Sequence, residues 1–117
     1  MTQQVSPLVY AVTPTAQILA KRGVTFAGEQ ATAGQACMGV ADTLIEAGVT
    51  GRVNLGPTAI WETGALITGT ENRLMADANG RVITWTTGNA VVAKRIKGRT
   101  SAGAGEMMEV FVIQSEA

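Results

Sequence analysis

The sequence predicts a mainly β fold: a small single domain, β-barrel or β-sandwich, of many short strands joined by Gly-rich turns. Three observations carry this reading. Fourteen glycines divide the 117 residues into apolar stretches of about four to eight residues, the usual spacing of strands and turns. Within these stretches apolar and polar residues alternate, as in Arg52-Val53-Asn54-Leu55, where a period of two places Val53 and Leu55 on one face and Arg52 and Asn54 on the other. Finally, Asn79-Gly80 separates two such stretches, and an Asn-Gly pair is the strongest short-range hairpin signal.

In chain order the expected strands are Leu8 to Thr13, Gly23 to Phe26, Gln35 to Ala41, Gly51 to Leu55, Thr58 to Trp61, Arg73 to Ala78, Arg81 to Thr86, Ala90 to Ile96 and Met107 to Ile113. A helix competes only at Ala41 to Ala47, where Leu44 and Ile45 sit among Asp42, Glu46 and alanines and Gly48 could cap a turn. For the hairpin, a two-residue loop at Asn79 and Gly80 pairs Ala76 with Ile83 and Leu74 with Trp85, making these four a core face. The competing geometry is a longer loop that starts at Asp77 and leaves only Gly80 left-handed. The last strand is apolar on both faces except at Glu109, which suits a central strand or one covered by a neighbouring subunit. Residues 1–117 read as one domain. The polar segment Met1 to Pro7 reads as a flexible N-terminal arm, with Thr2, Gln3, Gln4 and Val5 as candidate contacts.

Composition narrows the function. Nine cations balance nine anions, so no net field gathers nucleic acid or an anionic membrane. The start of the chain has no charged region followed by the roughly 7–15 apolar residues of a signal peptide, and no run is long enough to span a bilayer. Synthesis in a reducing cytoplasm is expected, because the single cysteine, Cys37, cannot form an internal disulfide. With no histidine in the chain, Cys37 lacks the usual base of a catalytic thiolate and reads as a buried structural thiol. The same absence removes the common transition-metal ligand sets and deprives Ser6, Ser101 and Ser115 of a base. Ser101-Ala102-Gly103-Ala104-Gly105 and Gly48-Val49-Thr50-Gly51 are neither a P-loop nor a dinucleotide fingerprint and read as turns. No enzyme, cofactor or metal is therefore expected. A basic run, Lys94, Arg95, Lys97 and Arg99, is either a contact patch or an edge strand whose charges discourage unwanted pairing.

From Arg22-Gly23-Val24-Thr25 the order of features is specific. Ala33-Gly34-Gln35, Gly39-Val40-Ala41-Asp42-Thr43, Ala47-Gly48 and Gly51-Arg52-Val53 follow. Then come Thr58-Ala59-Ile60-Trp61-Glu62-Thr63-Gly64-Ala65-Leu66-Ile67-Thr68-Gly69 and Leu74-Met75-Ala76-Asp77-Ala78-Asn79-Gly80-Arg81-Val82, with Gly105-Glu106 and Glu109-Val110 at the end. In this succession the chain resembles the capsid cement, or head decoration, proteins of tailed bacteriophages. The resemblance implies a β-tulip-like fold on the exterior of a virion, made in the host cytoplasm. Its implied partner is the major capsid protein, whose subunits it would bridge. The low charge and the two-sided apolar final strand leave surface to cover, so self-association on the capsid is also expected, a trimer first and a dimer second. The chain departs from that pattern at Val92-Ala93-Lys94-Arg95-Ile96-Lys97, where the family continues with small and apolar residues. The rival expectation is a carbohydrate- or host-surface-binding β module. Exposed aromatic platforms would mark it, whereas most of Tyr10, Phe26, Trp61, Trp85 and Phe111 fall in strand patterns that suit core packing.

Overall fold

The computed structural model describes residues 8–96 and 98–114. Within them the chain forms nine strands: β1 (Leu8–Val12), β2 (Gly23–Val24), β3 (Gly39–Ala41), β4 (Gly51–Gly56), β5 (Thr58–Glu62), β6 (Arg73–Ala76), β7 (Val82–Thr84), β8 (Ala93–Arg95) and β9 (Met107–Val112). Each lies inside or within a residue of an expected strand. Their ends are trimmed where turns take over, as at Thr25, whose carbonyl accepts a hydrogen bond from Gly28 N. Between Ala41 and Ala47 there is no helix. Ile45 instead exchanges two 2.8 Å backbone hydrogen bonds with Ile18, which separates Asp42 and Glu46 from any shared helical face.

The strands form two antiparallel sheets, ordered β1-β4-β3-β2 and β5-β9-β8-β6-β7. They are layered in the manner of a sandwich and do not close into a barrel. The chain passes between the sheets at Gly56-Pro57, a cis peptide bond. There the Asn54 side chain accepts from Gly56 N and donates to the Thr58 carbonyl, so one amide joins the end of β4 to the start of β5.

Period-two alternation explains why two cores form. Along β3, Val40 belongs to one core and Ala41 to the other, because successive side chains point to opposite faces. The larger core lies against the five-stranded sheet and contains Trp61, Ile67, Leu74, Val82, Val92 and Val110. The smaller contains Val12, Ile18, Val24, Ile45 and Val53, where the Ile18 and Ile45 segments cover the far face of the four-stranded sheet. Cys37 is buried in the larger core.

The hairpin adopts the longer loop and not the two-residue one. Asp77 N donates to the Arg81 carbonyl, Gly80 N to the Asp77 carbonyl, and of Asn79 and Gly80 only Gly80 has positive φ, 75°. The Asp77 carboxylate organises the loop by accepting from Asn79 N and Arg81 N. Pairing therefore shifts by one residue, to Leu74 with Thr84, Met75 with Ile83 and Ala76 with Val82. Such a slip exchanges faces. Val82 takes the core position expected of Ile83, and Trp85 lies beyond β7, half-buried.

Candidate functional site

The five-stranded sheet buries one face and presents the other. On β9, Met108 and Val110 point inward, while Met107, Glu109 and Phe111 point outward. Cross-strand register aligns Phe111 with Thr58 of β5 and with Lys94 of β8, and Lys94 with Arg73 of β6. A row of Thr58, Phe111, Lys94 and Arg73 thus crosses four strands on the outward face. At its end the Arg73 guanidinium sits 4.1 Å from the centre of the Trp85 ring, a favourable cation–π stack. Glu71 grips the same guanidinium through Nε and NH2 at 3.0 and 2.8 Å. These hydrogen bonds hold the Glu71 carboxyl down at about 2. Ile60, Met107 and Phe111 are all exposed on this face, with Glu109 among them opposite Ile60 and Lys94 and Arg73 on the β8 and β6 side.

The basic run divides among three roles. Lys94 is exposed on the outward face, beside Phe111. Arg95 turns away from it: its NH2 donates to the Gly69 carbonyl at 2.6 Å and to Asn72 Oδ1, and its backbone N to the Asn72 carbonyl, so it latches the loop before β6. Arg99 pairs with Glu109 at 3.6 Å. Lys97 lies outside the described residues, as do Thr2, Gln3, Gln4 and Val5 of the N-terminal segment. The edge-strand reading of the run is corrected, since β8 is an interior strand paired with both β6 and β9. Its charge therefore projects from the sheet and does not guard an edge.

Asn79 and Gly80 form a docked turn. The Asn79 carbonyl accepts from Arg22 and Gln30 side chains, and the Gly80 carbonyl from Gly23 N. Beside it, Glu62 lies between Arg22 and Arg81 at 3.3 and 3.4 Å, and Arg81 also meets Asp77 at 3.6 Å. This half-buried cluster ties the hairpin to β5 and to the residue preceding β2.

The aromatic side chains depart from expectation. Trp61 is fully buried, but Tyr10, Phe26 and Phe111 are 57%, 56% and 48% exposed. Tyr10 and Phe26 flank an apolar cleft lined by Met38 and Leu55, where Gln114 donates from its amide to the Met38 and Leu55 carbonyls. No local signal marks this cleft, because its walls come from five separate parts of the chain. The outward face of β9 is different: its two-sided apolar pattern is visible in the sequence.

Reactive groups are buried or engaged. Burial pushes the Cys37 thiol up to about 12. Ser101 Oγ donates to the Gly103 carbonyl at 2.7 Å and lies 2.9 Å from Thr63 Oγ1. Among the described residues no three His, Cys, Asp or Glu side chains are grouped to hold a metal.

The sequence matches no protein-family model and no curated protein. Among solved structures, the chain is similar to the N-terminal base of the head fiber protein gp8.5 of bacteriophage phi29. The TM-score is 0.74 at 14% identity, over 96% of this chain and 98% of that one. At this identity the likeness is one of fold.

Proposed function

We propose that the chain is a structural protein of a bacteriophage virion, bound to the outside of the capsid, where it bridges major capsid subunits and works by contact and not by catalysis. The observation that carries the reading is the fold shared, along nearly the whole of both chains, with a base that belongs to a phage head fiber. The resemblance of the sequence to head decoration proteins supports it independently. The contact face in this proposal is the outward side of β5, β9 and β8. Ile60, Met107 and Phe111 supply apolar area there, Glu109 stands among them opposite Ile60 and paired with Arg99, and Lys94 lies beside Phe111, a mixed apolar and polar surface of the kind protein interfaces use. Self-association, with a trimer as the first expectation, belongs to the same proposal. Many weak contacts repeated over a symmetric shell add up by mass action.

Tyr10 and Phe26 are the exposed aromatics that the carbohydrate-binding alternative calls for, and the polar groups of their cleft weigh against it. Sugar hydroxyls need free polar partners, and the Nε2 donor of Gln114 is already spent on two backbone carbonyls.

The test is to add the purified chain to heads of the phage that encodes it and image them by cryo-electron microscopy. The expected density lies outside the shell across subunit junctions, and Phe111→Lys with Ile60→Lys should weaken it at least tenfold. Heads that retain no chain after washing would overturn the proposal.

A further inference from the structure

An open sheet edge offers unpaired N–H and C=O groups to any passing strand, and proteins blunt such edges by shortness, charge or proline. Four strands end a sheet here: β1, β2, β5 and β7. Three are blunted. β2 is two residues long and β7 three, while β5 begins behind Pro57 and ends on the charged Glu62. β1 shares with β5 a preceding proline, Pro7, but it is neither short nor charged. Its residues Leu8-Val9-Tyr10-Ala11-Val12 include no charge, proline or glycine, and all but Val12 are exposed. One flank pairs with β4, and among the described residues no strand pairs with the other.

The cleft of Tyr10 and Phe26 opens on this strand. An adjoining pocket shares Tyr10, Phe26 and Met38 with it and is lined further by Ala11, Val12, Thr13, Ala27 and Gly28, and no charged side chain lines either. Met38 and Leu55 in the cleft are the margin of the smaller core, so the cleft is the uncovered end of that core. An occupant must therefore be extended, neutral and apolar at alternate positions.

We infer that the occupant is β1 of a second copy of the chain, paired antiparallel about a two-fold axis at Tyr10. The strand is complementary to itself in this register. Leu8 opposes the partner's Val12, Val9 opposes the partner's Ala11, and Tyr10 opposes the partner's Tyr10. No pair places like charges together or buries a charge, and apolar and aromatic cross-strand pairs are favourable. The two four-stranded sheets become one, both clefts fall on the same side, and the tyrosines at the axis cover them. A two-fold contact closes after two copies, so it produces a discrete doubling and not a fibre. It uses the opposite sheet from the proposed capsid face and can therefore coexist with contacts made there.

Sedimentation of the free full-length chain, without capsids, tests the inference separately from capsid binding. The largest species of the unmodified chain should have twice the mass of the largest species formed by Tyr10→Lys or by Tyr10→Glu, each of which opposes like charges at the axis. An equimolar mixture of the two variants should restore the doubled species, which a misfolded variant could not do. Phe111→Lys, on the other sheet, should leave the doubling intact. Equal masses for the unmodified chain and Tyr10→Lys, open-ended growth, or no recovery in the mixture would each overturn it.

Discussion

The indole Nε1 of Trp61 donates a 2.9 Å hydrogen bond to the carbonyl of Gly80, nineteen residues further along the chain. The same carbonyl accepts from Gly23 N at 2.7 Å, so the tip of a hairpin, the centre of the larger core and the start of β2 meet at one oxygen. The closeness is steric as well as polar. A Cβ built on Gly23 would lie 2.6 Å from the Trp61 ring and 2.9 Å from Cys37 Sγ, so any side chain at Gly23 would displace the ring or the thiol.

Replacing Gly80 by valine should therefore do more than strain a turn. Positive φ in a β-branched residue costs about 1–3 kcal/mol, and a Cβ at this position lies 3.1 Å from the Ala31 carbonyl. Gly80→Val should reach or exceed the upper end of that range in denaturant unfolding, with Gly80→Asn, which tolerates left-handed backbone, markedly milder. Equal midpoints for wild type and Gly80→Val would contradict the docked hairpin.

For Trp61 two substitutions separate packing from hydrogen bonding. Trp61→Ala removes a fully buried ring and should cost about 3–5 kcal/mol. Trp61→Phe keeps much of the volume and removes the donor. Because Gly80 O keeps its bond from Gly23, the acceptor is not orphaned, and the hydrogen-bond part of the loss should be only about 1 kcal/mol. Chemical denaturation followed by circular dichroism reads both.

At Glu62 the prediction concerns charge. Removing it leaves the half-buried Arg22 without a carboxylate and Arg81 with Asp77 alone at 3.6 Å, which is costlier than losing an exposed pair. Glu62→Gln should destabilise by about 1–3 kcal/mol, and the double variant Glu62→Gln with Arg22→Met should recover part of the loss. A double variant no more stable than Glu62→Gln alone would show that the charges do not act together.

Cys37 gives a pH dependence with a definite sign. Burial holds the folded thiol protonated up to about 12, against an ordinary value of 9.0, so above pH 9 only the unfolded chain loses this proton. The stabilisation from the neutral buried thiol is complete below about pH 9 and is lost as pH rises towards 12. Across that window the stability of wild type should fall more steeply than that of Cys37→Ala, by up to about 1.4 kcal/mol per pH unit. At neutral pH the native thiol should resist disulfide reagents until the chain unfolds.

Strand positions were legible because their causes are local. The glycines before and after Val53 and Leu55, and the alternation between them, act within a few residues and need no partner. The same locality explains why the Met107 to Ile113 stretch announced a two-sided strand. Other features rest on pairings between distant residues. Hairpin register passed to the longer loop because the Asp77 carboxylate captures two backbone N–H groups and Gly80 docks under Trp61, which no Asn-Gly dipeptide reveals. The basic run divided because β8 acquired neighbours on both sides, sending Lys94 outward and leaving Arg95 to latch the 69–72 loop. Tyr10 and Phe26 came to flank a cleft because the Ile18 and Ile45 segments cover only part of the smaller core. Backbone conformation follows from short-range sterics and solvation. Which faces are covered depends on how the two sheets and their loops divide a limited supply of apolar surface, and that was decided only by the packing of the whole chain.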